Sequence, residues 1–328
     1  MKLISIITPC YNEEGNVERL CSEIRTTLSA FSDRYDYEHI LIDNRSKDNT
    51  RNLLRNLAAQ DPHIKVILNT RNFGHIRSPY YALLQSKGDA AICMASDLQD
   101  PPSMIPEFIK KWEEGFNVVM GVKTQSEETP LMFAIRKTYY NLISRISDVE
   151  LVKNYTGFGL YDRQVIRYLQ HIDDPYPYFR GLIAELGFPS AKIFFKQPKR
   201  IRGVTANNFY SLYDIAMLGI TSHSKVPLRI ATMLGFGMSL ISLGVSIIYL
   251  IAKLIYWKSF AMGLAPLILG VFFFASVQLF FIGIIGEYVG FIYTQVLKRP
   301  LVVEMERINF DPFNTQKTHV TQTLKRNE

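Results

Sequence analysis

Ala95-Ser96-Asp97-Leu98-Gln99-Asp100-Pro101-Pro102 follows the apolar run Ala90–Met94 and precedes Ser103–Trp112, where Ile105, Phe108, Ile109 and Trp112 recur at helical spacing. The pattern reads as a buried strand, a loop and a helix. The two prolines end the strand and pre-set the backbone for a helix start. Asp97, Gln99 and Asp100 then sit at the carboxyl end of a strand, where open α/β sheets bind ligands. At i and i+2 in extended backbone, Asp97 and Gln99 can point to one side and grip a single divalent cation. An acidic helix cap would use the same residues, and spacing alone does not separate the two readings.

Working outward, the same alternation recurs. Leu3–Thr8, His39–Asp43, Lys65–Asn69 and Asn117–Val122 are further short branched runs. Between them, Val17, Leu20, Cys21, Ile24 and Leu28 mark one helical face, and Leu53, Leu54, Leu57 and Ala58 another. This predicts an α/β fold with a mostly parallel sheet covered by helices. Its strand ends carry Thr8–Glu14, Asp43–Asp48 and the Asp97 loop, so the unusual polar chemistry collects on one edge. Pro9–Gly15 is not the glycine-rich turn of a dinucleotide-binding domain, and no P-loop is present. Downstream, Leu131–Ser147 reads as an amphipathic helix carrying Arg136. Tyr155–Leu160 reads as a loop into a short strand, a helix is expected after Asp162, and another over Tyr178–Gly187. Ala191–Phe195 reads as a late strand leading into the basic stretch Lys196–Arg202.

The 328-residue chain carries a net charge of +7, with basic residues grouped at Lys196, Lys199, Arg200 and Arg202 and again at Lys298 and Arg299. Such groups suit an anionic membrane surface or phosphate-bearing ligands. Nucleic acid is not an expected partner, because no helix-turn-helix, finger or RNA-binding aromatic motif occurs. The scattered Cys10, Cys21 and Cys93 read as small buried hydrophobes in a reducing compartment. The N-terminal apolar run is too short for a signal peptide, which puts the first domain in the cytoplasm.

Apolar residues concentrate late in the chain. Phe209–Ile220 reads as a helix lying at a membrane surface, with its aromatics at headgroup level; a docking helix is the alternative. Residues 230–252 and 259–286 carry no charge, and each run meets the roughly 20 residues that cross a bilayer core. With the short link Tyr256-Trp257-Lys258 they are expected to form a transmembrane hairpin in the inner or plasma membrane, both termini cytoplasmic. Gly235, Gly237, Ser239, Ser242, Gly244, Gly283 and Gly286 are expected to let helices approach closely. The expected division is a soluble domain over 1–207, a juxtamembrane amphipathic helix over 208–226, the hairpin over 227–294 and a cytoplasmic tail over 295–328, polar from Asn309 on.

Ile7-Thr8-Pro9-Cys10-Tyr11-Asn12-Glu13-Glu14, Asp43-Asn44-Arg45-Ser46-Lys47-Asp48-Asn49-Thr50, Arg71-Asn72-Phe73-Gly74 and Asp97-Leu98-Gln99-Asp100-Pro101-Pro102 resemble, in order, the motifs of family 2 GT-A glycosyltransferases. With the paired apolar runs and Gly283-Ile284-Ile285-Gly286-Glu287-Tyr288, the chain is most similar to the polyprenyl-phosphate branch, over about residues 3–300. That branch comprises dolichyl-phosphate mannose synthases and bactoprenol glucosyltransferases.

The resemblance implies a Rossmann-like GT-A domain that moves a sugar from a nucleotide diphosphate sugar to a lipid-linked phosphate with inversion. Glucose from UDP-glucose onto undecaprenyl phosphate is the leading expectation. Mannose from GDP-mannose is the alternative, and an inactive membrane-anchored nucleotide-binding scaffold is another.

Carried onto this sequence, Pro9, Tyr11 and Glu13 would line the base and ribose pocket, joined by Asn72 and Gly74, and Asp43 would accept a base ring N–H. A turn-forming role is the alternative for Asp43. Asp97 and Gln99 would hold Mg²⁺ or Mn²⁺. Lys123 and Arg136 match acceptor-phosphate positions, with Arg200 and Arg202 as further candidates and Asp162 as an orienting carboxylate or a helix cap. The chain departs from the family pattern at Ala95, Asn44 and Arg45, and Lys123 stands where Arg is usual. No Glu-Asp general base is evident. A phosphate monoester, with a second pKa of about 6, arrives ionised and needs little deprotonation. Two helices per chain also make self-association in the bilayer an expectation.

Overall fold

Branched residues alternate faces along β1 (Lys2–Cys10): Ile4 and Ile6 enter one apolar layer, and Ile7 the other. The computed structural model describes residues 1–124, 152–198, 209–255 and 264–310. Its other strands are β2 (Tyr35–Asp43), β3 (Ile64–Asn69), β4 (Ala90–Cys93), β5 (Val118–Lys123), β6 (Tyr155–Asp162), β7 (Ser190–Phe195) and β8 (Glu304–Ile308). They form one sheet in the order β7-β5-β6-β4-β1-β2-β3-β8. The pairs β4–β1, β1–β2, β2–β3 and β5–β7 are parallel, while β6 and β8 run against their neighbours.

Helices α1 (Val17–Ser29), α2 (Thr50–Gln60), α3 (Gly74–Leu84), α4 (Ile105–Glu113), α5 (Arg163–His171) and α6 (Phe179–Leu186) cover the sheet. One layer packs Leu20, Ile24, Phe108 and Ile109 against Ile4, Ile6 and Ile92. The opposite layer packs Tyr80, Leu83, Val165 and Ile166 against Ile7, Ile42 and Tyr161. The expected helix after Pro102 begins as one 3-10 turn, Pro102–Met104, before α4.

The chain divides into two compact units: Met1–Glu127 with Val152–Thr205 and Pro300–Glu328, and Glu128–Leu151 with Ala206–Arg299. This differs from a serial division at 207, 226 and 294. Part of the segment assigned to a tail returns to the sheet as β8, antiparallel to β3, with Ile308 opposite Val66. Glu304–Ile308 is short and polar at Glu304, Glu306 and Arg307 without strict alternation, so the sequence pattern concealed an edge strand. Strand directions then fix one feature of the first unit. β5 and β7 end, and β6 and β8 begin, at the rim formed by the carboxyl ends of the parallel strands.

In the second unit the described helices are α7 (Phe209–His223), α8 (Val226–Ile255) and α9 (Leu264–Val296). Tyr213 donates to Glu287 at 2.7 Å and Tyr288 donates to the Ser224 carbonyl at 2.6 Å, tying α7 and the turn after it to α9. Among the described residues one segment, Phe273–Val296, is long and apolar enough to cross a membrane; Val226–Ser242 is apolar but shorter. Among the described residues no close approach occurs at the glycines of α8 and α9. A Cβ placed on Gly235, Gly237, Gly244, Gly283 or Gly286 would meet nothing within 4 Å among the described residues. Gly235, Ser239 and Ser242 instead line a cleft of about 750 Å³ facing Gln278 and Phe281.

Candidate active site

Strained backbone gathers at the carboxyl rim of the sheet. Four of the six described non-glycine residues with left-handed φ lie there: Asn12 (58°) after β1, Arg45 (66°) after β2, Leu98 (60°) after β4 and Asn154 (60°) before β6; Lys298 and Asn309 are the others. Such conformations cost about 1 kcal/mol or more each and persist where the surroundings enforce them, typically at functional sites. The enforcement is visible. The Asn12 N–H donates to Ser46 Oγ at 2.9 Å, and Asn12 Oδ1 accepts from the Lys47 N–H at 2.8 Å. The Glu13 N–H donates to Thr50 Oγ1 at 2.8 Å, and the Asn49 N–H donates to Glu14 Oε2 at 2.8 Å. The first two rim loops are therefore one stitched piece.

Asn44 joins the third loop to them. Its Nδ2 donates to the Gly74 carbonyl at 2.9 Å, while its Oδ1 accepts from the Phe73 N–H at 3.0 Å and from Asn69 Nδ2 at 3.2 Å. An ionised aspartate could accept but not donate to Gly74. The departure from the family's acid thus has a local reason.

Asp43 is 0% exposed. Its Oδ1 accepts the N–H groups of Arg45 and Ser46, each at 3.1 Å, and its Oδ2 accepts the Ser46 hydroxyl. Arg51 Nε lies 3.8 Å from Oδ1. Burial raises the Asp43 pKa, against the pull of Ser46 and Arg51. A carboxylate exposed to a base is therefore not what the structure shows: the lone pairs of Asp43 are taken up by its own turn.

The Asp97 loop divides its work differently. Asp97, 6% exposed, accepts the Gln99 N–H at 3.2 Å, an Asx turn. Asp100 accepts the Ala95 N–H at 3.0 Å and so closes the loop. Burial pushes the Asp100 pKa up to about 6, opposed by the charge of Lys123 and helped by that of Asp97. Lys123 ends β5 at the same rim, its N–H donating to the Asn154 carbonyl at 3.2 Å.

Among the described residues no cluster of three or more His, Cys, Asp or Glu side chains could hold a metal by itself. One carboxylate and one amide oxygen fit a divalent cation that completes its shell with substrate phosphates and water, the usual mode for Mg²⁺.

Of the residues singled out from sequence, Pro9, Tyr11, Glu13, Asn72, Gly74, Asp97, Gln99 and Lys123 lie on this rim. Pro9 sits opposite Ile42 in the sheet, and Tyr11 is 37% exposed. Glu13 accepts from Asn16 Nδ2 at 2.7 Å, building the entry to α1, and Asn72 Oδ1 accepts the Gly74 N–H at 2.7 Å.

Asp162 is corrected. It lies opposite Ala90, the first residue of β4, at the other end of the sheet. There it caps α5 by accepting the Gln164 N–H at 2.7 Å and also accepts from Trp112 Nε1 at 2.7 Å. The helix-cap reading is the one observed. Arg136, Arg200 and Arg202, with the expected helix over 131–147, lie outside the described residues.

Sequence reasoning missed Ser46, Arg51 and Asn44 as builders of the site. The serine three positions after Asp43 was the available signal, since Asp-x-x-Ser is turn chemistry. Arg180, on α6, also reaches the rim, donating to the Tyr155 carbonyl at 3.2 Å. Desolvation and the neighbouring Arg180 charge lower the His75 pKa.

Comparison with known proteins agrees in kind. Residues 5–169 match the family described as Glycosyl transferase family 2. An uncharacterized glycosyltransferase of Synechocystis sp. is 33% identical over 91% of this chain and 93% of that protein. An SfII prophage-derived bactoprenol glucosyl transferase of Shigella flexneri is 30% identical over 90% of this chain and 96% of that protein. Among solved structures, glucosyl-3-phosphoglycerate synthase from Mycobacterium tuberculosis with Mn²⁺, UDP and phosphoglyceric acid covers 67% of this chain and 76% of that one, at 18% identity and a TM-score of 0.45.

Proposed function

Because the chain belongs to glycosyl transferase family 2, we propose that it moves a hexose, glucose from UDP-glucose, onto a polyprenyl phosphate at the cytoplasmic face of a membrane. The observation that carries the lipid acceptor is topological. The strands that flank each break in the sheet unit, β5, β6, β7 and β8, end or begin on the rim that bears Asp97 and Lys123. The exposed apolar faces of α8 and α9, with Ile248 at 69% and Leu279 at 68%, support a membrane-embedded hairpin, since water would not tolerate them. Relatives named for bactoprenol support the same class of acceptor.

In this reading the 43–51 turn and Tyr11 receive the nucleoside. Ser46 yields its hydrogen bond if the base N–H reaches Asp43. Asp97 and Gln99 present their oxygens toward the diphosphate. A divalent cation bound between them would neutralise charge growing on the leaving group. Lys123, with Arg136, Arg200 and Arg202, holds the acceptor phosphate in line with the anomeric carbon. One phosphate oxygen attacks that carbon, the bond to the diphosphate breaks on the opposite face, and the configuration inverts. Asp100 keeps Lys123 and the loop in place.

The test uses full-length protein in detergent with undecaprenyl phosphate, Mg²⁺ or Mn²⁺, and labelled UDP-glucose or GDP-mannose. The expected result is a lipid-linked hexose, identified by mass, formed from UDP-glucose and dependent on the metal. Product only from GDP-mannose would replace the donor assignment. No lipid product from either, by protein that still binds UDP, would leave the scaffold reading standing.

A further inference from the structure

The last described strand is not an inert edge. Thr70 donates to the Val303 carbonyl through its N–H at 3.0 Å and its Oγ1 at 3.2 Å, fixing the start of β8 at the rim. Arg55 on α2 grips Glu306 with Nη2 at 2.7 Å and Nε at 3.1 Å. At the far end, Asn309 Nδ2 donates to the carbonyls of Ala58 and Ile64 at 2.6 and 2.9 Å. Held at both ends, β8 presents Met305 to the Asp43 turn. The Met305 sulfur accepts from Arg45 Nη1 at 3.5 Å and from Arg51 Nη2 at 3.4 Å.

Those two arginines bracket the turn. The Arg45 backbone N–H is one of the donors that close Asp43, and Arg45 holds the strained φ of 66°. Arg51 Nε lies 3.8 Å from Asp43 and is buried without a hydrogen-bond partner. A guanidinium on a surface helix would ordinarily sample several rotamers.

We propose that Met305 is a positioning residue of the donor site: it holds Arg45 and Arg51 over the Asp43 turn, so that affinity for the nucleoside part of the donor depends on the strand that follows the long apolar helix. The inference rests on the reading of this rim as a nucleotide-sugar site and adds a residue, from the far end of the chain, that sets its affinity. A thioether is a weak acceptor that also packs well. Its loss therefore acts through the mobility of two cations and not through collapse of the fold.

The experiment is titration of full-length, detergent-solubilised protein with UDP and GDP in the presence of Mg²⁺, for wild type, Met305→Ala and Met305→Leu. Thermal midpoints and the acceptor KM are measured beside it. Loss of the two sulfur contacts to Arg45 and Arg51 predicts UDP affinity about fivefold lower in Met305→Ala. Met305→Leu, which keeps the volume and loses the acceptor, should fall about twofold. The acceptor KM should stay within a factor of two of wild type in both. Wild type that binds UDP while both variants bind it equally well overturns the inference alone. So does a proportional loss of UDP and acceptor binding, which would mark Met305 as merely structural. Wild type that binds neither nucleotide overturns the donor-site reading and this inference with it.

Discussion

The loops after β2 and β4 are built alike and used differently. Each has an aspartate, at the strand end in one and four residues beyond it in the other, whose Oδ1 accepts the N–H two residues on, at 3.1 Å and 3.2 Å. Each has a left-handed non-glycine residue inside the turn, Arg45 and Leu98. In the first loop one carboxylate does all the structural work: Asp43 takes three donors and is 0% exposed. In the second the work is split. Asp100 closes the loop through Ala95, and Asp97, 6% exposed, accepts the Gln99 N–H. A buried carboxylate that already accepts three hydrogen bonds from its own turn is a poorer ligand for a cation, so under the proposed function the β4 loop is the one assigned the metal.

The sharpest way to break that contrast is Asp97→Ala. Transfer should fall by about a thousandfold or more, as when a charge-stabilising group is removed from a reacting centre. The melting temperature should fall by about 4 °C, because a buried acceptor of the Gln99 N–H is lost. Full transfer in that variant would remove the metal role. Asp43→Ala should show the reverse balance. Stripping the acceptor from three buried donors should cost about 3 kcal/mol of stability, read by denaturant unfolding, and weaken UDP binding through the disordered turn. A variant as stable as wild type that loses only UDP affinity would make Asp43 a base ligand after all.

A third carboxylate supplies the control. Asp162 shares the family-based expectation of a catalytic role and lies at the opposite end of the sheet. Asp162→Ala removes a helix cap and leaves the Trp112 N–H without its acceptor, a loss of about 2 kcal/mol in unfolding free energy. Transfer measured below the melting transition should stay within about twofold of wild type. A large loss of kcat would return Asp162 to the chemistry.

What the sequence disclosed follows from periodicity. Strand and helix along residues 3–122 alternate with strong apolar contrast, so the parallel core and its polar rim were readable from residues such as Ile4, Ile6, Ile24 and Phe108. Four motif stretches identified the family. The roles inside the motifs were not readable, because Asp43, Asp97 and Asp100 differ only in which backbone N–H groups the folded loops turn toward them. β8 was hidden for another reason. Five residues, Glu304-Met305-Glu306-Arg307-Ile308, have no strand-like pattern and acquire one only by pairing with Val66–Asn69, distant in sequence. Asn44 looked like a defect in a motif until its donor to Gly74 was seen.

The mildest test concerns protons. Burial lifts Asp100 to about 6, whereas an unfolded chain would titrate it near the ordinary aspartate value of 3.8. Between those two values the folded, metal-free protein binds a proton that the unfolded chain does not. Stability should therefore rise as pH falls through about 6, be fully gained below the unfolded value, and be lost again as pH climbs back. Integrated from pH 7 to pH 5 the gain is about 1 kcal/mol. Other groups titrate over the same range, so the comparison must be with Asp100→Asn, whose amide oxygen still accepts from Ala95 and carries no titratable proton. The difference in unfolding free energy between the two proteins, followed from pH 7 to pH 5, should close by that amount. If the two proteins track each other across the range, Asp100 is not the buried, loop-closing carboxylate of the β4 rim.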